Sequence, residues 1–208
     1  MIRIEPYKNM NAAIQALDNG GRFYKIQTKA NDGIIDESEL ENVGGTFKDK
    51  QEMILFLQMS LMKLEESDKT AILSKFDNEL KSTYENHKPR ELKPHQVSLR
   101  GKLSSNAIIK GFPKLIDPKS DFEGSIMFPV SGGNTTTLVM IPLTEEYDVY
   151  EVKDEQSLKP FLVAHLKNIE KLPNKRMIIG GIIKEMKITD DEDEGEKRFL
   201  EAVYYFED

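Results

Sequence analysis

Residues 86 to 96 read NHKPRELKPHQ: two prolines, two histidines and a single apolar residue, Leu92. Proline fixes its own φ and biases the residue before it away from helix, so the stretch reads as a linker. More decisive is that the rhythm of the chain differs on its two sides. Upstream, apolar residues recur every third or fourth position; downstream they alternate with polar ones. The expectation is an α+β protein, with a mostly helical domain over 1–90 and an antiparallel β-rich domain over 97–208.

Upstream, Met10, Ala13, Ile14 and Leu17 mark one face of a short helix that Gly20-Gly21 ends. RFYKIQT, 22–28, reads as a short strand. KQEMILFLQMSLMKLEE, 50–66, is the most apolar helix, with Met53, Ile54, Leu57, Leu61 and Leu64 in one stripe. Leu55, Phe56, Met59 and Met62 fall outside that stripe, which makes the helix apolar over more than half its circumference. Such a helix either packs on two sides or offers Phe56, Met59 and Met62 to a partner. Ile72, Leu73, Phe76 and Leu80 predict another helix over 68–84.

Downstream, Val97, Leu99, Gly101 and Leu103 alternate with polar residues, so a first long strand is expected over 97–112. Phe122, Ile126, Phe128 and Val130 alternate next, SGGN at 131–134 turns the chain, and TTTLVMIPL at 135–143 is rich in β-branched residues. YDVYEV, 147–152, is a further short β-like run. Leu158, Phe161, Leu162, His165, Leu166 and Ile169 return to helical spacing. RMIIGGIIKEMKI, 176–188, and KRFLEAVYYF, 197–206, read as a closing hairpin, with a bulge or sharp bend at Gly180-Gly181. Three strand regions, one helix and two more strands are the order of an OB-like five-stranded barrel, whose helix lies between strands 3 and 4, and an open antiparallel sheet fits the same order nearly as well.

In 208 residues, 38% hydrophobic and 31% charged, there is enough apolar material for a real core. The formal charge of −7 gives the whole molecule no long-range attraction for phosphate polymers. No cysteine is present, which removes disulfides, thiolate metal sites and cysteine nucleophiles. Neither a signal-peptide run nor an apolar stretch of membrane-spanning length occurs, so a cytoplasmic location without membrane contact is expected.

NDGIIDESELE, 31–41, resembles the second half of an EF-hand calcium loop. With Gly33 as loop position 6, Asp32, Asp36 and Glu39 occupy positions 5, 9 and 12. Positions 1 and 3 would be Thr28 and Ala30, too little oxygen and charge to hold the ion. Turn chemistry at Asn31-Asp32-Gly33, followed by a capping box between Asp36 and Glu39, explains the same letters. DDEDEGE, 190–196, reads as a solvated loop. His87, His95 and His165 lack metal-ligand spacing, and no nucleophile elbow or phosphate loop occurs. No catalytic residue, metal or cofactor is assigned.

Lys88 to Ser120 holds eight basic residues against Glu91 and Asp117, a local balance of +6. Arg100, Lys102, Lys110 and Lys114 are the candidate contacts for an anion or a nucleic acid, with Arg100, Lys102 and Lys110 on one strand face. Phe112, Phe122 and Phe128 fit the strand interior better than a stacking platform. The leading expectation is a non-enzymatic binding or adaptor protein with a protein partner or self-association. OB-like binding of single-stranded nucleic acid through 88–119 is the alternative, and a degenerate EF-hand-like calcium response a third.

Overall fold

The computed structural model describes residues 1–21, 29–116, 124–132, 135–155, 159–167, 170–188 and 195–208. The expected strand at 22–28, most of the acidic run at 190–196, Gly133-Asn134, and Phe122, Leu158 and Ile169 lie outside them. The chain divides into two compact units, Arg3–Pro89 and Met1–Ile2 with Arg90–Asp208.

The first unit is helical: α1 (Met10–Leu17), α2 (Glu37–Gly44), α3 (Lys50–Leu61), α4 (Glu66–Ser74) and α5 (Asn78–His87). Four of these start on a side chain that accepts one of the free N–H groups of the first turn: Asn9, Asp36, Asp49 and Asp77. From α3, Met53, Ile54, Leu57 and Leu61 enter a core with Leu17, Leu40, Ile72 and Leu80. Each such side chain contributes about 1.5–3 kcal/mol by leaving water.

The single helix expected over 68–84 is instead two, α4 and α5. Ile35 interrupts it: its N–H donates to the Lys75 carbonyl (2.9 Å) and its carbonyl accepts from the Asp77 N–H (3.0 Å). Asp77 then restarts the helix by accepting from the Leu80 N–H at 2.7 Å.

The second unit contains β1 (Ile2–Arg3), β2 (Arg90–Leu92), α6 (Pro94–Arg100), β3 (Asn106–Leu115), β4 (Gly124–Gly132), β5 (Thr135–Pro142), α7 (Leu143–Glu146), β6 (Tyr147–Lys153), β7 (Phe161–Leu166), β8 (Met177–Ile188) and β9 (Gly195–Glu207). Strands β3, β6, β7, β9 and β8 follow one another around a closed barrel, β8 returning to β3. All neighbours are antiparallel except β7 and β9. The molecule is therefore α+β with a five-stranded mixed barrel. In the β8–β9 ladder the register shifts between Gly180 and Gly181, the bulge that lets a small barrel turn its corner.

Two segments differ from expectation. Residues 97–103 do not begin the first barrel strand; α6 runs through Arg100 and β3 starts at Asn106. Pro94 suits a first helical turn, Gln96 Oε1 accepts from the Lys93 N–H (3.3 Å), and the chain leaves the helix at Gly101. Residues 161–166 form β7, not a helix. Both sides of β7 are apolar, with Phe161 and Val163 in the barrel core and Ala164 in a second cluster with Tyr147, Val149 and Phe199. Loss of alternation on a strand buried from both sides leaves a spacing that also fits a helix. Among the described residues, no helix lies between β7 and β8, and none is long and apolar enough to cross a membrane.

His165 sits on β7 within this unit, buried and stacked on Tyr150 with ring centroids 5.5 Å apart. The Leu172 N–H donates to the Tyr150 hydroxyl (3.1 Å), which lies 3.3 Å from His165 Nε2, while Nδ1 lies 2.9 Å from the Leu166 carbonyl. One proton assignment satisfies all of these: Nδ1–H donates to Leu166 and Nε2 accepts from Tyr150. Burial pushes the imidazole pKa down, although the Leu166 carbonyl and Asp148 pull the other way. The unfolded chain therefore takes up a proton before the folded one does, and stability falls as pH drops below about 6.5 until the folded pKa is reached. Urea midpoints at about pH 7.5 and 5.5 are expected to differ in that direction, and His165→Phe to flatten the slope. An unchanged slope in His165→Phe would place the responsible group elsewhere.

Candidate functional site

Strand β3 exchanges partners at its middle. Asn106 to Gly111 pair with β8, and Phe112 to Leu115 pair with β6. Beyond the exchange its two faces separate cleanly: Ile109, Gly111 and Pro113 are buried, whereas Lys110, Phe112 and Lys114 are exposed. Because side chains two apart share a face at about 6.8 Å per step, the result is a stripe of ammonium, ring and ammonium. Phe112 is 41% exposed, and Lys153 lies opposite it on β6.

Acidic groups temper the stripe without cancelling it. Lys110 pairs with Asp208, which also holds Arg176 at 3.1 Å, and Arg176 reaches Glu155 at 3.1 Å. Lys153 lies 3.5 Å from Glu151, the residue opposite Lys114. These pairs are exposed or half-exposed, worth at most about 1 kcal/mol each, and readily exchanged for another anion. A narrow cationic track with one flat apolar ring can grip phosphates and stack one planar group.

Of the four basic candidates, Lys110 and Lys114 share this face. Arg100 ends α6 and Lys102 follows Gly101 in the loop, so the single strand face expected for Arg100, Lys102 and Lys110 does not form. Arg100 contributes its carbonyl to Arg90 (3.2 Å), and the Gly101 carbonyl accepts from Arg198. Phe112 was the residue the sequence misassigned: K-x-F-x-K places three side chains on one face, but neighbouring Ile108 and Ile109 obscure which face is outside.

In the helical unit, Met59 is wholly buried and Phe56 is half-buried, packed on Phe47 at 5.5 Å, so the supposed partner surface loses its central side chain. Met62 is half-buried at the end of α3. The 31–41 stretch makes a turn and a cap. Asn31 and Gly33 take positive φ (59° and 84°), and Asp32 accepts from the Ile34 N–H at 2.9 Å. The Asp36 carboxylate accepts from the Glu39 N–H (3.0 Å), and Glu39 returns the exchange to the Asp36 N–H (3.1 Å). These oxygens are engaged with backbone donors.

His87 ends α5, and His95 on α6 lies 3.2 Å from Asp154. Among the described residues, no three His, Asp or Glu side chains gather as a metal site. Compared with known protein families and with curated proteins, the chain matches none.

Proposed function

We propose that this protein binds single-stranded nucleic acid on the outer face of its barrel, with Lys110 and Lys114 on phosphates and the Phe112 ring stacked on a base. The observation that carries this reading is the exposed phenylalanine held between two exposed lysines. A buried ring there would be a core residue, and lysines alone would be an edge guard. The barrel class supports it, since OB-type barrels take oligonucleotides along their outer strands. With two lysines for phosphates and one ring for stacking, binding is sequence-tolerant.

The molecule's charge of −7 opposes approach of a polyanion, which makes the complex weak and strongly salt-dependent. Fluorescence anisotropy with labelled oligonucleotides across a salt series is the direct test. Phe112→Ala is expected to weaken binding by about 1–2 kcal/mol, roughly five- to thirtyfold in Kd, with little change in the salt slope. Lys114→Ala is expected to lower the salt slope by about 0.7. Absence of binding at low salt, where phosphate contacts are strongest, would end the proposal.

A further inference from the structure

The hairpin of β4 and β5 leaves the barrel early. Only Gly124 and Ser125 pair with β8, at Ile188 and Lys187, whereas β4 and β5 stay in register from Ser125–Pro142 out to Gly132–Thr135. Strand β5 ends the sheet, with β4 as its one strand neighbour among the described residues. A two-stranded ribbon standing alone is marginal in water and gains independent stability from a third strand. The register sets Ile126 opposite Ile141 and Met127 opposite Met140.

The second observation concerns charge. Residues 124–142 contain no Asp, Glu, Lys or Arg, in a chain that is 31% charged. Edge strands are ordinarily guarded by lysine, proline or a bulge. Here the β4–β5 register is unbroken, and on the edge strand itself proline occurs only as Pro142 at its last position, Pro129 lying on β4. We propose that the open edge of β5 pairs with β5 of a second copy of this chain, antiparallel across a twofold axis, joining two hairpins into one four-stranded ribbon. The occupant is a copy and not a foreign strand because the edge carries no charge to select a partner, while twofold self-pairing satisfies both edges at once. The uncharged strand also brings no like charges together, which a pairing of two molecules of net charge −7 requires.

Thr137 is the residue to change, since it lies mid-strand opposite Val130. Sedimentation velocity of the full chain over the micromolar range is expected to show a dimer. Thr137→Lys raises its dissociation constant by about tenfold or more, because the introduced ammonium groups face each other across the twofold axis. Mixing the Thr137→Lys and Thr137→Glu proteins restores dimerisation, which a misfolded hairpin could not do. A monomeric native chain, a Thr137→Lys protein that dimerises as before, or a mixture that stays monomeric would each overturn the proposal. Oligonucleotide binding at Phe112 is read separately in the same samples and does not depend on the outcome.

Discussion

A protein carrying Gly181→Ala is expected to lose about 3 kcal/mol of barrel stability, the upper part of what overpacking usually costs. An added Cβ would lie against the Glu201 carbonyl and the Leu200 side chain, and the carbonyl is backbone, unable to rotate aside. Gly181 faces Ala107 on β3 and Ala202 on β9. Moving it therefore disturbs two ladders of a closed barrel, at the register shift where β9 carries one extra residue, Val203, against Gly180 and Gly181. Chemical denaturation followed by far-ultraviolet circular dichroism measures the effect. A midpoint within experimental error of the native value would show that the bulge relaxes freely and does not set the barrel's closure.

Glu39→Ala is expected to cost the helical unit about 2–4 kcal/mol. Its side chain is fully buried, and its two oxygens accept from the Gly20 N–H (2.7 Å) and the Asp36 N–H (3.1 Å). Burial pushes the carboxyl pKa up, against the two backbone donors that pull it down. Alanine removes the carboxylate acceptor of two partly buried N–H groups, and with it half of the capping box of α2. Gly20 has φ of 85° and donates directly to this carboxylate, so the connection from α1 loosens together with the start of α2. Glu39→Gln retains one acceptor oxygen and is expected to cost roughly half as much. Urea unfolding of the three proteins side by side checks both figures; equal midpoints would remove Glu39 from the structural account.

The cap at Asp36 and Glu39 and the strand irregularity at Gly180-Gly181 could be read from the sequence because each is local chemistry, although the extra residue lies across the ladder on β9. A carboxylate three residues from another at a helix start, or paired glycines inside a β-branched run, needs no knowledge of distant partners. The break between α4 and α5 could not, since Ile35, some forty residues upstream, supplies the backbone groups that split the helix. Strand β7 was hidden for a different reason: both of its faces are packed, so the alternation that marks a strand is missing. Of the candidate site, two lysines were foreseen. The ring between them was not, because β3 changes from a strand with apolar residues on both faces to a half-exposed one near Gly111, where its partner changes.

Met1 and Ile2 belong to the barrel unit, while the eighty-seven residues after them fold as a separate body before the chain returns at Arg90. The helical unit is thus an insertion, tethered at both ends to one scaffold. A fragment cut to begin at Arg90 would omit β1, which lies beside β9, and leave that flank bare for strangers to join. Anyone dissecting the molecule should keep Met1 to Arg3, and so the whole of β1, with the barrel.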